Sequence, residues 1–365
     1  RLDASGASRA GGALACGGCG ASYPVEDGVI QFAGTDEFYE AHGFTEPGRG
    51  FGEGWVERLG LYFARHHYLH DVSRAVPPGA KLVEVGCGGG SRYLASRYEV
   101  MGVDVSRAST RRAAEVYPSV VRAAADALPL AESCAAGLVS SCLLEHLGDE
   151  SAGRCLAEMA RALKPGGVMV HLFDLGTDGP FWRWAKKQPW HREIFVASKG
   201  HLGVRPLGRW NGLFREAGFE VLGARLFCKT WLQDSSVWGA LDHPAVKGAP
   251  RLVGRLARRY RSAASRASAV LETVLDDLAG PFLPDRWQGW PAWLTLVTTP
   301  GGEAQLDQAQ REAIATWTRC GGALFTTTAA GVEGWRRLGA SATLLDPADS
   351  EQRLLLARLR AAADE

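Results

Sequence analysis

The chain has 365 residues, of which 46% are hydrophobic and 22% are charged, and its formal net charge is +1. Such a length and composition suffice for a large buried core with a smaller second unit. A charge so close to neutral gives no overall argument for a nucleic-acid partner. No run of about 18 uncharged apolar residues predicts a membrane span. The sequence begins with arginine, so we expect the natural N-terminus to lie upstream.

The first 34 residues contain a close cysteine pair, Cys16 and Cys19, in the stretch LACGGCG. This stretch resembles the second half of the zinc ribbon of tRNA-methyltransferase activator proteins. The resemblance implies that both thiolates bind a structural zinc ion, and a tetrahedral site then needs a second pair from an upstream segment. The alternative is a metal-free hairpin in which the glycines only turn the chain. The other six cysteines are scattered singly, which favours buried thiols in a reducing, cytoplasmic compartment.

Residues 35–76 are predicted to form a helical lid. A loop rich in glycine and aromatic residues, which includes Tyr39, is followed by apolar positions at helical spacing from Trp55 onward. Such a loop is expected to close over a groove.

A glycine-rich turn follows at Lys81–Gly90, KLVEVGCGGG. The apolar run predicts a buried parallel strand, and the glycines allow a tight turn against a ligand. A second strand ends in Asp104, where a carboxylate can bind a ribose diol. Asp126 follows a third strand, and the fourth strand runs into Leu144-Glu145-His146. A fifth strand after a Lys-Pro-Gly-Gly turn ends near Asp174.

This series resembles the class I S-adenosylmethionine (SAM)-dependent methyltransferases that carry an E/D-x-G-C-G-x-G loop and an L-E-H segment. The resemblance is close over residues 77–175 and implies an α/β fold with a Rossmann-like seven-stranded sheet. It also implies SAM as the cofactor, with the glycine loop around the methionine moiety, Asp104 at the ribose and Asp126 near the adenine. The implied cofactor-binding residues are Tyr39, Glu84, Gly86, Cys87, Gly88, Gly90, Asp104, Val105, Asp126, Ala127 and Leu143. The spacing G-C-G-G-G does not fit the dinucleotide pattern G-x-G-x-x-G.

The methyltransferase domain is predicted over residues 77–300, with cap insertions at about 176–209 and 228–288. Trp290–Pro300 suits the last strand, antiparallel to its neighbours in the sheet. Residues 301–365 alternate between helix and strand patterns and predict a small α/β accessory domain, for which no chemical role is apparent.

The second cap insertion contains a basic stretch from Lys247 to Arg266 without an acidic residue. One interpretation is an interfacial helix at an anionic membrane surface, which would make the protein peripheral to a membrane. A second is a solvated cap helix whose arginines pair with acids elsewhere. A third is a nucleic-acid patch, although aromatic residues do not interleave with the basic ones as a single-strand groove requires.

Open α/β sheets bind substrates beyond the carboxyl ends of their strands. His146, Asp174 and His201 are therefore the candidate catalytic residues, with His146 as the first choice for a base. Some quinone-pathway relatives hold a divalent metal through an acid three residues before the glutamate of this segment. Cys142 stands there in this chain, which argues against the same site.

Two classes of acceptor stay open. The first is a small-molecule, glycan or lipid-linked acceptor methylated on oxygen, which the cap insertions favour. The second is ribosomal or transfer RNA, which the ribbon resemblance favours. The near-neutral charge and the absence of an N/D-P-P-Y-type motif weigh against RNA.

Overall fold

The structure is a computed structural model, and it describes about two thirds of the chain. The described residues are 2–3, 12–16, 20–32, 37–41, 64–177, 179–226, 229, 235–259, 274–275, 278–284, 292–300, 324–326 and 342–344. The chain divides into two compact units, Arg1–Thr299 and Pro300–Glu365.

The centre of the first unit is a parallel sheet with the order β7-β6-β5-β8-β9. Its strands are β5 (Lys81–Val85), β6 (Glu99–Asp104), β7 (Ser119–Arg122), β8 (Ala135–Ser141) and β9 (Leu163–Leu175). Helices cover both faces, so the strands are nearly continuous apolar runs, as is typical of buried parallel strands. The predicted Lys-Pro-Gly-Gly turn is an irregularity inside β9, where the register with β8 shifts.

Two further strands complete the predicted sheet at one edge. They are β10 (Phe219–Leu226) and β11 (Ala292–Pro300), and β11 lies between β9 and β10. β11 is antiparallel to β9, with pairs from Ala292 opposite Leu175 to Thr298 opposite Met169. The mixed α/β fold with a largely parallel sheet is the one that the sequence predicts.

The number of strands differs from the predicted seven. β4 (Val29–Gln31) pairs in parallel with β7, through Ile30 opposite Val121, and adds an eighth strand. Antiparallel pairing of β1 (Leu2–Asp3), β2 (Gly12–Cys16) and β3 (Ser22–Glu26) continues the described sheet to eleven strands. The physical reason is that an uncovered edge at β7 would leave backbone groups unpaired, and the N-terminal strands satisfy them.

The helices lie on the two faces of the sheet and in the caps. They are α1 (Glu37–Ala41), α2 (Ala64–Ala75), α3 (Arg92–Ala95), α4 (Arg107–Ala113), α5 (Asp149–Ala162), α6 (Pro180–Ala185), α7 (Leu207–Glu216) and α8 (Ser235–Ala240). Helices α3 and α4 start at the serine caps Ser91 and Ser106, whose side chains accept from the first-turn amides of Leu94 and Ser109. These caps fix where each helix begins after its strand.

The two cap insertions share a small core of their own. Trp182, Trp190 and Phe195 from the first insertion pack with Leu241 and Val246 from the second. The helix at residues 249–259 belongs to the predicted basic stretch. Three of its arginines surround the half-buried Asp242, at nitrogen–oxygen distances of 3.9 Å (Arg251), 4.0 Å (Arg255) and 3.5 Å (Arg258). This arrangement is the one expected of a solvated cap helix.

In the second unit, β12 (Leu324–Thr326) and β13 (Ala342–Leu344) pair in parallel. The helices predicted for the tail, like most of the predicted lid loop at 35–63, lie outside the described residues. In the part of the chain that the structure describes, no helix has both the length and the apolar character needed to cross a bilayer.

Candidate active site

The glycine loop between β5 and α3 turns back on the sheet. Gly86, Gly88 and Gly90 all have positive φ angles, of 71°, 51° and 82°. A Cβ atom at Gly86 would stand 3.1 Å from the Leu143 side chain, and one at Gly90 would stand 3.2 Å from that of Val116. Glycine is therefore required at these turns both by backbone conformation and by the available space.

A buried tyrosine holds this loop in place. The Tyr117 hydroxyl donates to Glu84 Oε2 and accepts the backbone N–H of Ser91 at 2.6 Å. Glu84 is the penultimate residue of β5 and Ser91 is the N-cap of α3, so the Tyr117 side chain connects the two sides of the turn. Burial and the neighbouring Glu84 raise the pKa of Tyr117, which keeps the hydroxyl protonated as a donor.

Asp104, at the end of β6, faces the loop. Its Oδ2 accepts the backbone N–H of Gly88 at 2.8 Å, and its Oδ1 accepts that of Ser106 at 2.9 Å. Burial raises the pKa of Asp104, and the backbone hydrogen bonds oppose that shift. A carboxylate offers about four lone-pair sites, so two bonds leave capacity for a ligand's hydroxyl groups.

A cavity of about 990 Å³ extends from the glycine loop to the L-E-H segment. All the predicted cofactor-binding residues except Ala127 line it, namely Tyr39, Glu84, Gly86, Cys87, Gly88, Gly90, Asp104, Val105, Asp126 and Leu143. Near the predicted adenine position the lining residues are Ala123, Ala124 and Ala125. The Asp126 carboxylate pairs with Arg154 at 2.7 Å, so one of its oxygens is already occupied.

Helix α1 lies beside this cavity and contributes two aromatic rings to its lining. Phe38 and Tyr39 both line the cavity, and the Tyr39 ring lies 5.9 Å from that of His146. Glu40 fixes the helix, because its Oε1 accepts the Arg107 backbone N–H at 2.9 Å and pairs with Arg122 at 3.0 Å. The predicted lid thus has a described, anchored portion.

The three predicted catalytic residues come together at the other end. The His146 and His201 rings lie 5.0 Å apart, and His201 Nδ1 lies 3.8 Å from Asp174 Oδ2. His146 lines the cavity, whereas Asp174 and His201 are not among its described lining residues. Its Nδ1 lies 3.1 Å from the Gly200 carbonyl oxygen.

A fourth ionisable group belongs to this cluster, although the sequence did not single it out as catalytic. Glu145 is only 1% exposed. Burial, and secondly the nearby Asp174, raise its pKa well above the usual range, and burial also raises that of Asp174. Burial lowers the pKa of His146, and it lowers that of His201 to about 3. Both imidazoles are therefore neutral at physiological pH.

The segment that follows α6 holds His201 against the L-E-H segment. The Gly203 N–H donates to the Glu145 carbonyl at 2.6 Å, and Arg205 donates to the Leu147 carbonyl at 2.9 Å. A Cβ atom at Gly203 would lie 2.3 Å from the Leu147 oxygen, so only glycine permits this approach. The insertion is thus built tightly onto the active-site end of the sheet.

Of the two predicted zinc ligands, the structure describes Cys16. Cys16 is the last residue of β2, half-buried, with its N–H bonded to the Ala21 carbonyl at 2.7 Å. Cys19 lies outside the described residues. Zinc at this pair therefore stays a prediction.

Some functional residues could not have been found from the sequence. Tyr117 is 26 residues from its partner Ser91, and no local pattern connects the two. Phe38 carries no motif, yet its ring packs on Gly200. Glu145 is part of the L-E-H motif, but the motif does not reveal the neighbouring Asp174.

Comparison with known proteins agrees with this geometry. A family model described as a methyltransferase domain matches residues 83–171. Dimethylglycine N-methyltransferase of Parasynechococcus marenigrum is 31% identical over 125 residues, which cover 31% of this chain and 44% of that protein. The 2-methyl-6-phytyl-1,4-hydroquinone methyltransferase of Synechocystis is 27% identical over 160 residues, which cover 40% of this chain and 47% of that protein. The chain thus spans less than half the length of these two curated relatives.

Among solved structures, phosphoethanolamine N-methyltransferase 2 of Haemonchus contortus in complex with SAM is similar with a TM-score of 0.43 and 15% identity. The match covers 65% of this chain and 52% of that one. The family match begins inside β5 and ends inside β9, and so includes the glycine loop, Asp104 and the L-E-H segment. Residues 83–171 thus match the methyltransferase-domain model, and they lie within a mixed α/β sheet of mostly parallel strands such as the class I methyltransferases have.

Proposed function

We propose that the chain is a SAM-dependent methyltransferase that methylates an oxygen atom of a small-molecule, glycan or lipid-linked acceptor. The observation that carries this proposal is a cavity that has the glycine loop and Asp104 at one end and His146 at the other. A cofactor and an acceptor can therefore meet within the same cavity, as transfer by alignment requires.

The residues present fit SAM as the cofactor. The loop from Gly86 to Gly90 would hold the methionine moiety, Asp104 would accept from the ribose hydroxyls, and the Ala123–Ala125 wall would lie against the adenine. The cavity volume falls within the range of about 300–1,000 Å³ that is usual for small-ligand sites. When bound, SAM supplies an electrophilic methyl group on a sulfonium.

The acceptor end favours a compact substrate. Phe38 and Tyr39 of α1 and Gly200 and Leu202 of the first insertion narrow it with largely apolar surface. Two relatives are named for small-molecule acceptors, a dimethylglycine and a hydroquinone, which supports the same class here. RNA is the alternative acceptor, and the near-neutral net charge of +1 gives it little support.

The His146–His201–Asp174 cluster would serve to remove the acceptor's proton. A hydroxyl acceptor must lose its proton as the methyl group arrives, and a neutral imidazole at the cavity wall is suited to take part. SAM would supply the methyl group to the acceptor oxygen and keep the C–S bonding pair on its sulfur, while the His146 imidazole would accept the hydroxyl proton.

Calorimetry with SAM and with its demethylated product, S-adenosylhomocysteine, tests the cofactor. We expect micromolar binding of both, and a folded protein that gives heat with neither ligand would contradict the proposal. An acceptor screen with methyl-labelled SAM then compares small-molecule, glycan, lipid and RNA pools. Label that enters RNA alone would overturn the choice of acceptor while leaving the cofactor intact.

A further inference from the structure

Two buried carboxylates lie beside two imidazoles at the acceptor end of the cavity. Glu145 is 1% exposed and Asp174 is 5% exposed. Glu145 Oε2 and Asp174 Oδ1 each lack a hydrogen-bond partner among the described residues. Buried carboxylate oxygens are normally satisfied by hydrogen-bond donors or by a cation. The two oxygens thus leave acceptor capacity that a bound cation would use.

The nearby side chains have the composition of a metal site. Three residues, Glu145, His146 and His201, each offer one potential ligand atom, and these three atoms lie within 4.8 Å of one another. Zinc–ligand bonds of about 2.0–2.2 Å place the ligand atoms of one tetrahedral ion about 3.4 Å apart. Small side-chain rotations would therefore bring the three atoms into coordination distance.

The surroundings of the histidines also fit. His146 Nδ1 lies 3.1 Å from the Gly200 carbonyl, so its N–H donates there and Nε2 is left as the ligand nitrogen. A backbone carbonyl that orients a ligating imidazole in this way is a usual outer partner of a metal site. The backbone N–H of His201 donates to the Val196 carbonyl at 3.1 Å, and Gly203 bonds the Glu145 carbonyl. Backbone contacts thus hold two of the three ligands in place.

We propose that Glu145, His146 and His201 bind a zinc-class divalent transition-metal ion, with Asp174 as an adjacent carboxylate. Two imidazoles with one carboxylate favour zinc over magnesium or calcium, which prefer oxygen ligands. Three protein ligands leave a coordination position open. The metal site of the quinone-pathway relatives needs an acid where this chain has Cys142. The site proposed here differs, because its third ligand is the imidazole of His201 from the first cap insertion.

The consequence for the acceptor rests on the proposed methyl transfer. His146 lines the cavity, so an acceptor oxygen bound beside it would lie next to an ion held by its imidazole. A metal ion lowers the pKa of a bound oxygen acid. The acceptor hydroxyl would then release its proton to solvent before its oxygen attacks the sulfonium methyl group. His146 would act as a metal ligand in this scheme, and the acceptor class would be one with a metal-binding oxygen.

Cobalt(II) titration of the chelator-treated full chain tests the site directly. We expect visible d–d absorption of a nitrogen–oxygen site without the ultraviolet charge-transfer band of a thiolate. That distinction separates the cluster from the Cys16–Cys19 pair. Zinc should displace the cobalt at about one equivalent.

Three variants complete the test. Glu145→Gln and His201→Ala should each weaken zinc binding by more than about 100-fold, since loss of even an outer partner costs about 10–100-fold. His243→Ala removes a histidine of the second insertion that pairs with Glu193 at 3.7 Å, and it should leave zinc binding unchanged. S-adenosylhomocysteine calorimetry checks that each variant is folded. If His201→Ala does not fold, Glu145→Gln carries the test, because it preserves the shape of the side chain.

Three results would overturn the proposal: wild-type protein that binds neither cobalt nor zinc, a thiolate spectrum alone, or equal zinc affinity in wild type and Glu145→Gln. The cofactor titration is a separate measurement. Failure of metal binding would therefore leave the proposed methyltransferase function standing, and failure of cofactor binding would not decide the metal site.

Discussion

The Tyr117 hydroxyl offers a sharp test of how the glycine loop is held. Tyr117→Phe removes one hydrogen bond to the Glu84 carboxylate and one from the Ser91 N–H. A bond to a charged group contributes about 1.5–3 kcal/mol and a neutral one about 0.5–1.5 kcal/mol, so the expected loss in the free energy of unfolding is about 2–4 kcal/mol. The side chain is 4% exposed, so water cannot readily replace the lost partners.

Tyr98→Phe is the matched control. Tyr98 belongs to the same buried cluster and is 6% exposed, but its hydroxyl makes one long hydrogen bond, 3.4 Å to the Val76 carbonyl. Its removal should cost less than about 1 kcal/mol. Urea unfolding followed by far-ultraviolet circular dichroism measures both variants, and calorimetry measures their affinity for S-adenosylhomocysteine. Equal destabilisation of the two variants, or an unchanged cofactor affinity in Tyr117→Phe, would refute the reasoning.

Asp104→Ala should raise the dissociation constant for S-adenosylhomocysteine by about 10–100-fold, because the ribose loses an acceptor worth about 1.5–3 kcal/mol. Calorimetry measures this constant. Glu115→Ala, at an exposed position, is the control and should bind S-adenosylhomocysteine normally. Gly203→Ala should destabilise the first unit by about 1–3 kcal/mol, since its Cβ would overlap a carbonyl oxygen. Gly208→Ala, in the exposed first turn of α7 with open space around it, should instead be neutral or stabilising by up to about 1 kcal/mol, and urea unfolding measures both glycine variants. A longer chain that supplies an upstream cysteine pair should give the cobalt thiolate band, and Cys16→Ser should abolish it. Pelleting with liposomes should be equally low for anionic and neutral lipid, because three cap arginines already surround one aspartate.

Much of the fold follows from local patterns in the sequence. The apolar run before Gly86 and the carboxylate at the end of the next strand predict a nucleotide-binding turn, because strand burial and glycine conformations are properties of short segments. The order of helix, glycine and strand around Gly218, where the structure has α7 and β10, is likewise a local pattern. The additional β4 strand was not predicted, since its pairing with β7 joins segments about 90 residues apart.

Local sequence patterns likewise predicted the positions of some candidate catalytic residues and not of others. Strand ends placed His146 and Asp174 on one edge of the sheet, and the first insertion offered His201 without a defined position. The sequence argued only against the metal site of the quinone-pathway relatives, because Cys142 stands where that site has an acid.

By itself, the sequence determined the type of domain, the glycine loop and the ionisable candidate side chains, because each of these depends on residue types that stand close together in the chain. Only the tertiary structure decided that Glu145, Asp174, His146 and His201 lie together in one cluster of side chains. That proximity depends on the first insertion folding back over the strand ends, where Gly203 allows backbone contact with the L-E-H segment. Packing of this kind arises between residues more than 50 positions apart, and no local periodicity encodes it.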